Sequence, residues 1–283
     1  MLWIGLASGG GPGRRMTVEF RDDVTEGSEV TGLGSANRVW RVGDTIRRSR
    51  WPSSDTTAAL LRHLEHKGFR YSPRYLGIDG LDRDVLSLLP GTPVATLRGD
   101  DQLMQVAALL RELHDSTADF VPPANALWQV EPAFVVLGGT GIIHRDVAAW
   151  NMLETDDVIT GLVDWDLAGP GRLIEDFAYV AWHFTPLHPE PIGNGSVGPD
   201  VSDRPRRLRL LADAYGLTAA ERQMVLSEVA GVEVRQAARV ADRALAGDQV
   251  SERLWRAGRF TENTGRSLSW LAHYRESLTV ALR

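Results

Sequence analysis

Ile143-His144-Arg145-Asp146-Val147-Ala148-Ala149-Trp150-Asn151-Met152-Leu153, with Leu162-Val163-Asp164-Trp165-Asp166 shortly after it, is the stretch on which the reading of this chain turns. It reads as a strand end, a polar loop carrying Asn151, a β-hairpin turning at Asp156-Asp157, and a second acidic loop, because short β-rich runs flank the charged positions. Asp146 and Asn151 are five apart, and Asn151 and Asp164 thirteen apart. A hairpin therefore returns Asp164 to the loop that holds Asn151. One carboxylate and one amide oxygen suit Mg²⁺, a hard cation that takes few protein oxygens and keeps water and phosphate oxygens for the rest. Asp146 is left to orient a hydroxyl and accept its proton. Phosphoryl transfer needs this layout, since its catalysis is positioning plus charge neutralisation.

Working outward, the residues from Val30 to about Pro93 read as a small strand-rich unit. Arg38-Val39-Trp40-Arg41-Val42 alternates, Gly43-Asp44 turns, and Thr45-Ile46-Arg47-Arg48 resumes, together a hairpin. Ser53-Ser54-Asp55 offers N-caps to a helix through Ala58, Leu60, Leu61 and Leu64, which Gly68 ends. Tyr75-Leu76-Gly77-Ile78 and Val85-Leu86-Ser87-Leu88-Leu89 read as two more strands, and Pro90-Gly91 closes the unit. Beyond it the text is mainly helical. Leu103, Val106, Ala107, Leu110 and Leu113 keep helical spacing behind Asp100-Asp101. The segment from Pro205 to Arg283 is helical with interruptions expected at Gly216, Gly247 and Gly258. The first fifteen residues read as a tail, and Met16 is an alternative translation start.

The His-Arg-Asp run at 144–146, four residues, Asn151, and an aspartate thirteen further on together resemble the eukaryotic-like kinase superfamily. Asp164-Trp165-Asp166, with its continuation from Ala168 to Trp182 and the helical run Leu109-Leu110-Arg111-Glu112-Leu113-His114-Asp115, is similar to the aminoglycoside phosphotransferase branch. The likeness spans roughly Val30 to Leu187 and is strongest from His144 to Trp182. It implies an α+β, bilobal protein-kinase-like fold: a small antiparallel β lobe with one helix, and a large, mainly helical lobe. The boundaries expected are a tail with a first strand over 1–29, a nucleotide-binding lobe over 30–91, and a catalytic and acceptor-binding lobe over 92–283. The activity implied is transfer of the γ-phosphate of ATP or GTP to a hydroxyl of an aminoglycoside, amino sugar or related metabolite. Asp146 matches the catalytic aspartate, and Asn151 and Asp164 match the Mg²⁺ ligands. Asp166 matches a second acidic position, a metal-shell or substrate contact. Asp176 matches an aspartate that braces the catalytic loop, and His144 is expected to pack within that loop. Backbone groups of Ser87 to Leu89 would meet the nucleotide base, and Gly32 and Gly34 would cover the phosphates.

The chain departs from the family in its small lobe. The strand-three lysine that pairs with the α- and β-phosphates is Arg47 by alignment, with Arg48 the runner-up because a one-residue slip exchanges the faces. No acid stands near Thr57–Ala59 to hold that cation, and Glu65 is two turns further on. A catalytically silent, nucleotide-binding regulatory module is the alternative these departures leave. A protein kinase is disfavoured because no Ser/Thr-bearing activation segment lies between Asp164 and Asp176.

Composition narrows the partners. The 283 residues carry 31 Lys+Arg against 37 Asp+Glu, a net charge of −6, which argues against non-specific nucleic-acid binding. From His144 to Asp200 ten acids face only Arg145 and Arg172, a local excess that would steer a cationic acceptor. The absence of cysteine excludes disulfides, thiolate zinc sites and a cysteine nucleophile, and no run of 18 apolar residues exists to span a membrane. The cytoplasm is the expected compartment, and the sequence carries no sign of oligomeric state.

Overall fold

The computed structural model describes residues 20, 23–29, 38–95, 97, 99–129, 141–189 and 200–283. Its architecture is α+β, and it divides into two compact units whose segments interleave along the chain. The first comprises 1–98, 115–129 and 147–168; the second comprises 99–114, 130–146 and 169–283. Gly32 and Gly34 lie outside the described residues.

The first unit is built on a five-stranded antiparallel sheet of β1 (Ser28–Glu29), β2 (Val39–Val42), β3 (Thr45–Ser49), β4 (Tyr75–Ile78) and β5 (Arg83–Ser87), in the order β1-β2-β3-β5-β4. Helix α1 (Ser54–His66) buries Ala58, Leu60, Leu61 and Leu64, the apolar stripe that its 3.6-residue period predicts. The N-terminus differs from expectation in one detail. Ser53 makes no capping bond; the Ser54 hydroxyl instead accepts from Trp51 N–H at 2.9 Å and donates to the Asp84 carboxylate at 2.6 Å. Gly68 closes α1 with φ +78°, a conformation that a Cβ disfavours. A second sheet orders β6 (Thr92–Pro93), β8 (Met152–Thr155) and β9 (Val158–Leu162). Its hairpin turns on Asp156 and Asp157, both at positive φ, as a two-residue turn between right-twisted strands requires. Leu89, Leu153 and Val163 pack together, and Leu162 N–H donates to Tyr71 C=O at 2.7 Å.

In the second unit, α2 (Asp100–Thr117, its last turn belonging to the first unit) buries Leu103, Val106, Leu109, Leu110 and Leu113. A two-stranded antiparallel ribbon pairs β7 (Gly141–Ile143) with β10 (Gly169–Gly171). Helices α3 (Leu173–Phe184), α4 (Arg204–Tyr215), α5 (Ala219–Leu245), α6 (Gln249–Arg256), α7 (Arg259–His273) and α8 (Arg275–Ala281) complete it. Gly216, Gly247 and Gly258 all lie between helices at positive φ. A full capping box at Thr218 and Glu221 starts α5. Among the described residues no helix is long and apolar enough to cross a membrane.

Candidate active site

The hairpin sets the acids of the first unit. Met152 lies opposite Leu162, and Val163 N–H donates to Asn151 C=O at 2.8 Å, so the residues that enter and leave the hairpin are neighbours. Asn151 is 2% exposed. Asp164 follows Val163 at φ +65°, a left-handed conformation that aspartate tolerates better than most residues, and the chain then enters a short 3₁₀ turn over Trp165–Leu167. Trp165 fixes that turn. Its indole N–H donates to Leu162 C=O at 3.0 Å, and its ring meets Phe69 edge-on. An amide oxygen and carboxylates around one hairpin end are hard donors, too few for an all-protein cage and suited to a cation that keeps phosphate ligands.

Asp166 is ion-paired to Arg48. Burial works against the Arg48 charge, but the carboxylates of Asp166, Asp164 and Asp84 outweigh it and hold the guanidinium above its ordinary value. The Arg48 Nε is buried and has no hydrogen-bond partner among the described residues. Arg47 points to the opposite face of β3, since side chains alternate along a strand. There it is 2% exposed, ion-paired to Asp23 at 2.8 Å and Asp79 at 3.7 Å, with Phe20 under its guanidinium. Register thus separates the two candidates: Arg48, the runner-up, is the arginine beside Asp166, and Arg47 is the one paired with Asp23 and Asp79. The Ser87 hydroxyl accepts from Arg74 N–H, and the Leu89 side chain packs under the acidic hairpin.

In the second unit, Asp176 on α3 is fully buried and accepts from the backbone N–H of His144 and of Arg145, each at 2.7 Å, with the His114 ring at 3.4 Å. Burial pushes its carboxyl up. The His114 hydrogen bond, the electrostatics of the His114 and His144 rings and the His144 N–H overcome this and leave it below the usual aspartate value. Arg145 adopts φ +65°, the backbone for which glycine is the usual choice, and its guanidinium donates to Pro170 C=O on β10. His144 is buried, and its Nδ1 accepts from Asp146 N–H at 3.3 Å. Asp146 itself is 8% exposed, and its Oδ1 accepts from the Tyr179 hydroxyl at 2.7 Å. Burial and the Asp146 carboxylate push that hydroxyl well above its ordinary pKa, so it remains a donor.

Tyr179, whose hydroxyl holds the Asp146 carboxylate, is a contact that sequence reasoning missed. The available signal was its spacing, three residues after Asp176 on one face of α3. Farther along that helix, Trp182 N–H donates to Glu233 at 2.5 Å. Burial raises the Glu233 carboxyl in spite of that bond and one from Ser267.

The phosphotransferase enzyme family matches residues 124–211, a span that contains the acidic hairpin, the 144–146 loop and α3. The trifolitoxin immunity protein of Rhizobium leguminosarum bv. trifolii is 33% identical over 259 residues, which cover 89% of this chain and 97% of that protein. The chain belongs to the phosphotransferase enzyme family. Solved structures with the same fold include an amicoumacin kinase in complex with AMP-PNP, Ca²⁺ and Ami (TM-score 0.63, 12% identity, 87% of this chain and 89% of that one). A microcompartment-associated aminopropanol kinase has TM-score 0.62 and 16% identity, covering 93% and 97%. A choline/ethanolamine kinase family protein from Mesorhizobium loti has TM-score 0.60 and 17% identity, covering 91% and 93%. Membership makes this phosphotransferase a kinase by class, and its fold is that of small-molecule kinases.

Proposed function

We propose that this phosphotransferase moves the γ-phosphate of ATP to a hydroxyl of a small cationic antibacterial compound, an aminoglycoside or amino sugar being the first class to test. The observation that carries the reading is Arg48, a guanidinium beside Asp164 and Asp166 whose buried Nε still lacks a hydrogen-bond partner among the described residues. An unmet buried donor costs about 1–3 kcal/mol, which a phosphate oxygen would offset. Asn151 and Asp164 would hold Mg²⁺, which when bound supplies charge neutralisation on the β- and γ-phosphates. Arg48 would grip the non-transferred phosphates, while Gly32 and Gly34 would cover them and the backbone of Ser87 to Leu89 would meet the base.

Asp146, held by Tyr179, would orient the acceptor hydroxyl and take its proton as the oxygen attacks phosphorus. The bond to the β-phosphate bridging oxygen breaks and ADP leaves. ATP as donor is supported by the AMP-PNP complex of the amicoumacin kinase, and an antibacterial acceptor by the relative named as an immunity protein. A cationic acceptor is supported by the acidic excess from His144 to Asp200. The cytoplasm would supply the ATP.

The test is ADP release with MgATP, or MgGTP in parallel, across a panel of aminoglycosides, amino sugars and amino alcohols, with the product identified by a phosphate mass shift. The expected result is acceptor-dependent turnover that Asp146→Asn reduces by at least about a hundredfold. ATP binding without turnover on any acceptor would instead favour a silent nucleotide-binding module.

A further inference from the structure

Neither acid of α1 holds the cation of β3. Asp55 is largely exposed and pairs with Arg50 at 2.7 Å, and Glu65 is exposed on the helix surface. Arg48 is held instead by Asp166, in a pair whose side chains are 13% and 18% exposed. Both ends of this contact are tied into hydrogen-bonded structure. Arg48 lies on β3, hydrogen-bonded between β2 and β5, opposite Val39 and Asp84, while the Asp166 turn is anchored through Trp165. The pair uses one terminal nitrogen of Arg48 and leaves its buried Nε without a partner among the described residues.

We propose that Asp166 is a positioning residue for Arg48: it fixes the guanidinium by one nitrogen so that the remaining donors face the non-transferred phosphates of the nucleotide. This rests on reading the chain as an ATP-dependent phosphotransferase. Asp166 then does the work of a helix acid from a turn two residues beyond Asp164. The planar fork explains why an arginine serves here, since one donor can be anchored while others bind an oxyanion. An ammonium in the same pair would keep no fixed direction for its other protons.

The test is a double-mutant cycle read as the Kd for ATP, by calorimetry on the full chain, once in EDTA and once in Mg²⁺. The proteins are wild type, Asp166→Asn, Asp166→Glu, Arg48→Ala and the Arg48→Ala/Asp166→Asn double variant, each checked for its thermal midpoint. Asp166→Asn is expected to weaken ATP about tenfold in both buffers, and Asp166→Glu to recover most of that loss. In the Arg48→Ala background, Asp166→Asn should change Kd by less than about twofold. A loss confined to Mg²⁺ buffer would make Asp166 a metal contact and overturn the proposal. Tighter ATP binding by Asp166→Asn would overturn it too, since Asp166 would then compete with phosphate. If Asp166→Asn does not fold, Asp166→Ser takes its place in the same cycle with Arg48→Ala, and additive effects there refute the coupling. Wild-type protein that binds no ATP would sink the functional reading together with the proposal. Wild-type binding without the coupling sinks the proposal alone.

Discussion

Removing the Asp176 carboxylate should unlock the loop that carries Asp146. In Asp176→Ala the backbone N–H groups of His144 and Arg145, each now 2.7 Å from a carboxylate oxygen, lose their acceptor in a fully buried place. Each unmet buried donor costs about 1–3 kcal/mol, so the expected loss of stability is about 4 kcal/mol. Asp176→Asn keeps one acceptor oxygen and should lose about 2 kcal/mol. The pH dependence has a definite sign. The native carboxyl is held below the ordinary aspartate value, so its contribution is present above about pH 4 and is lost as pH falls through the lowered native value. The gap between wild type and Asp176→Asn should therefore narrow on acidification below about pH 4. Urea titration gives the free energies, and amide hydrogen exchange gives the location. His144 and Arg145 should exchange slowly in wild type and much faster in Asp176→Ala. A loss below about 1 kcal/mol, with both amides still protected, would refute the bracing argument.

Three further changes test separate parts of the account. Tyr179→Phe removes the hydroxyl that holds Asp146 Oδ1 at 2.7 Å; it should cost about 1 kcal/mol of stability and lower kcat severalfold while leaving the ATP Kd unchanged. Arg145→Gly should be more stable than Arg145→Ala by about 1 kcal/mol in urea unfolding, because both lose the bond to Pro170 and only alanine keeps a Cβ at φ +65°. Gly91→Ala should lower stability by roughly 2–3 kcal/mol, since Gly91 has φ +114° and a Cβ there would stand 2.7 Å from Glu154 C=O; a thermal midpoint equal to wild type would contradict this.

Much of this arrangement was legible because it rests on local pattern. The hairpin over 152–162 is written in two β-rich runs around Asp156-Asp157, and the C-terminal helices are punctuated at Gly216, Gly247 and Gly258, where the backbone needs positive φ. Other features left no such mark. Thr92-Pro93 and Gly169-Pro170-Gly171 are too short and too rich in proline and glycine to signal strands; Pro170 is tolerated because β10 pairs on one side only. The break between α7 and α8 at Tyr274 has neither glycine nor proline beside it. For Arg47 and Arg48, adjacent arginines give no period by which to choose a face. Register with β2 and β5 makes the choice, and that is a tertiary property. The Tyr179 contact with Asp146 is tertiary as well, since it depends on α3 packing beside a loop 33 residues earlier.

The most direct measurement is calorimetric binding of MgATP to wild-type protein and to Asp164→Ala. Wild type is expected to bind with a micromolar Kd that weakens strongly when Mg²⁺ is withheld or Asp164 is removed, with Arg48→Ala weakening it in either buffer. Folded wild-type protein that binds no ATP, or that binds it equally well without Mg²⁺ and without Asp164, would contradict the central claim.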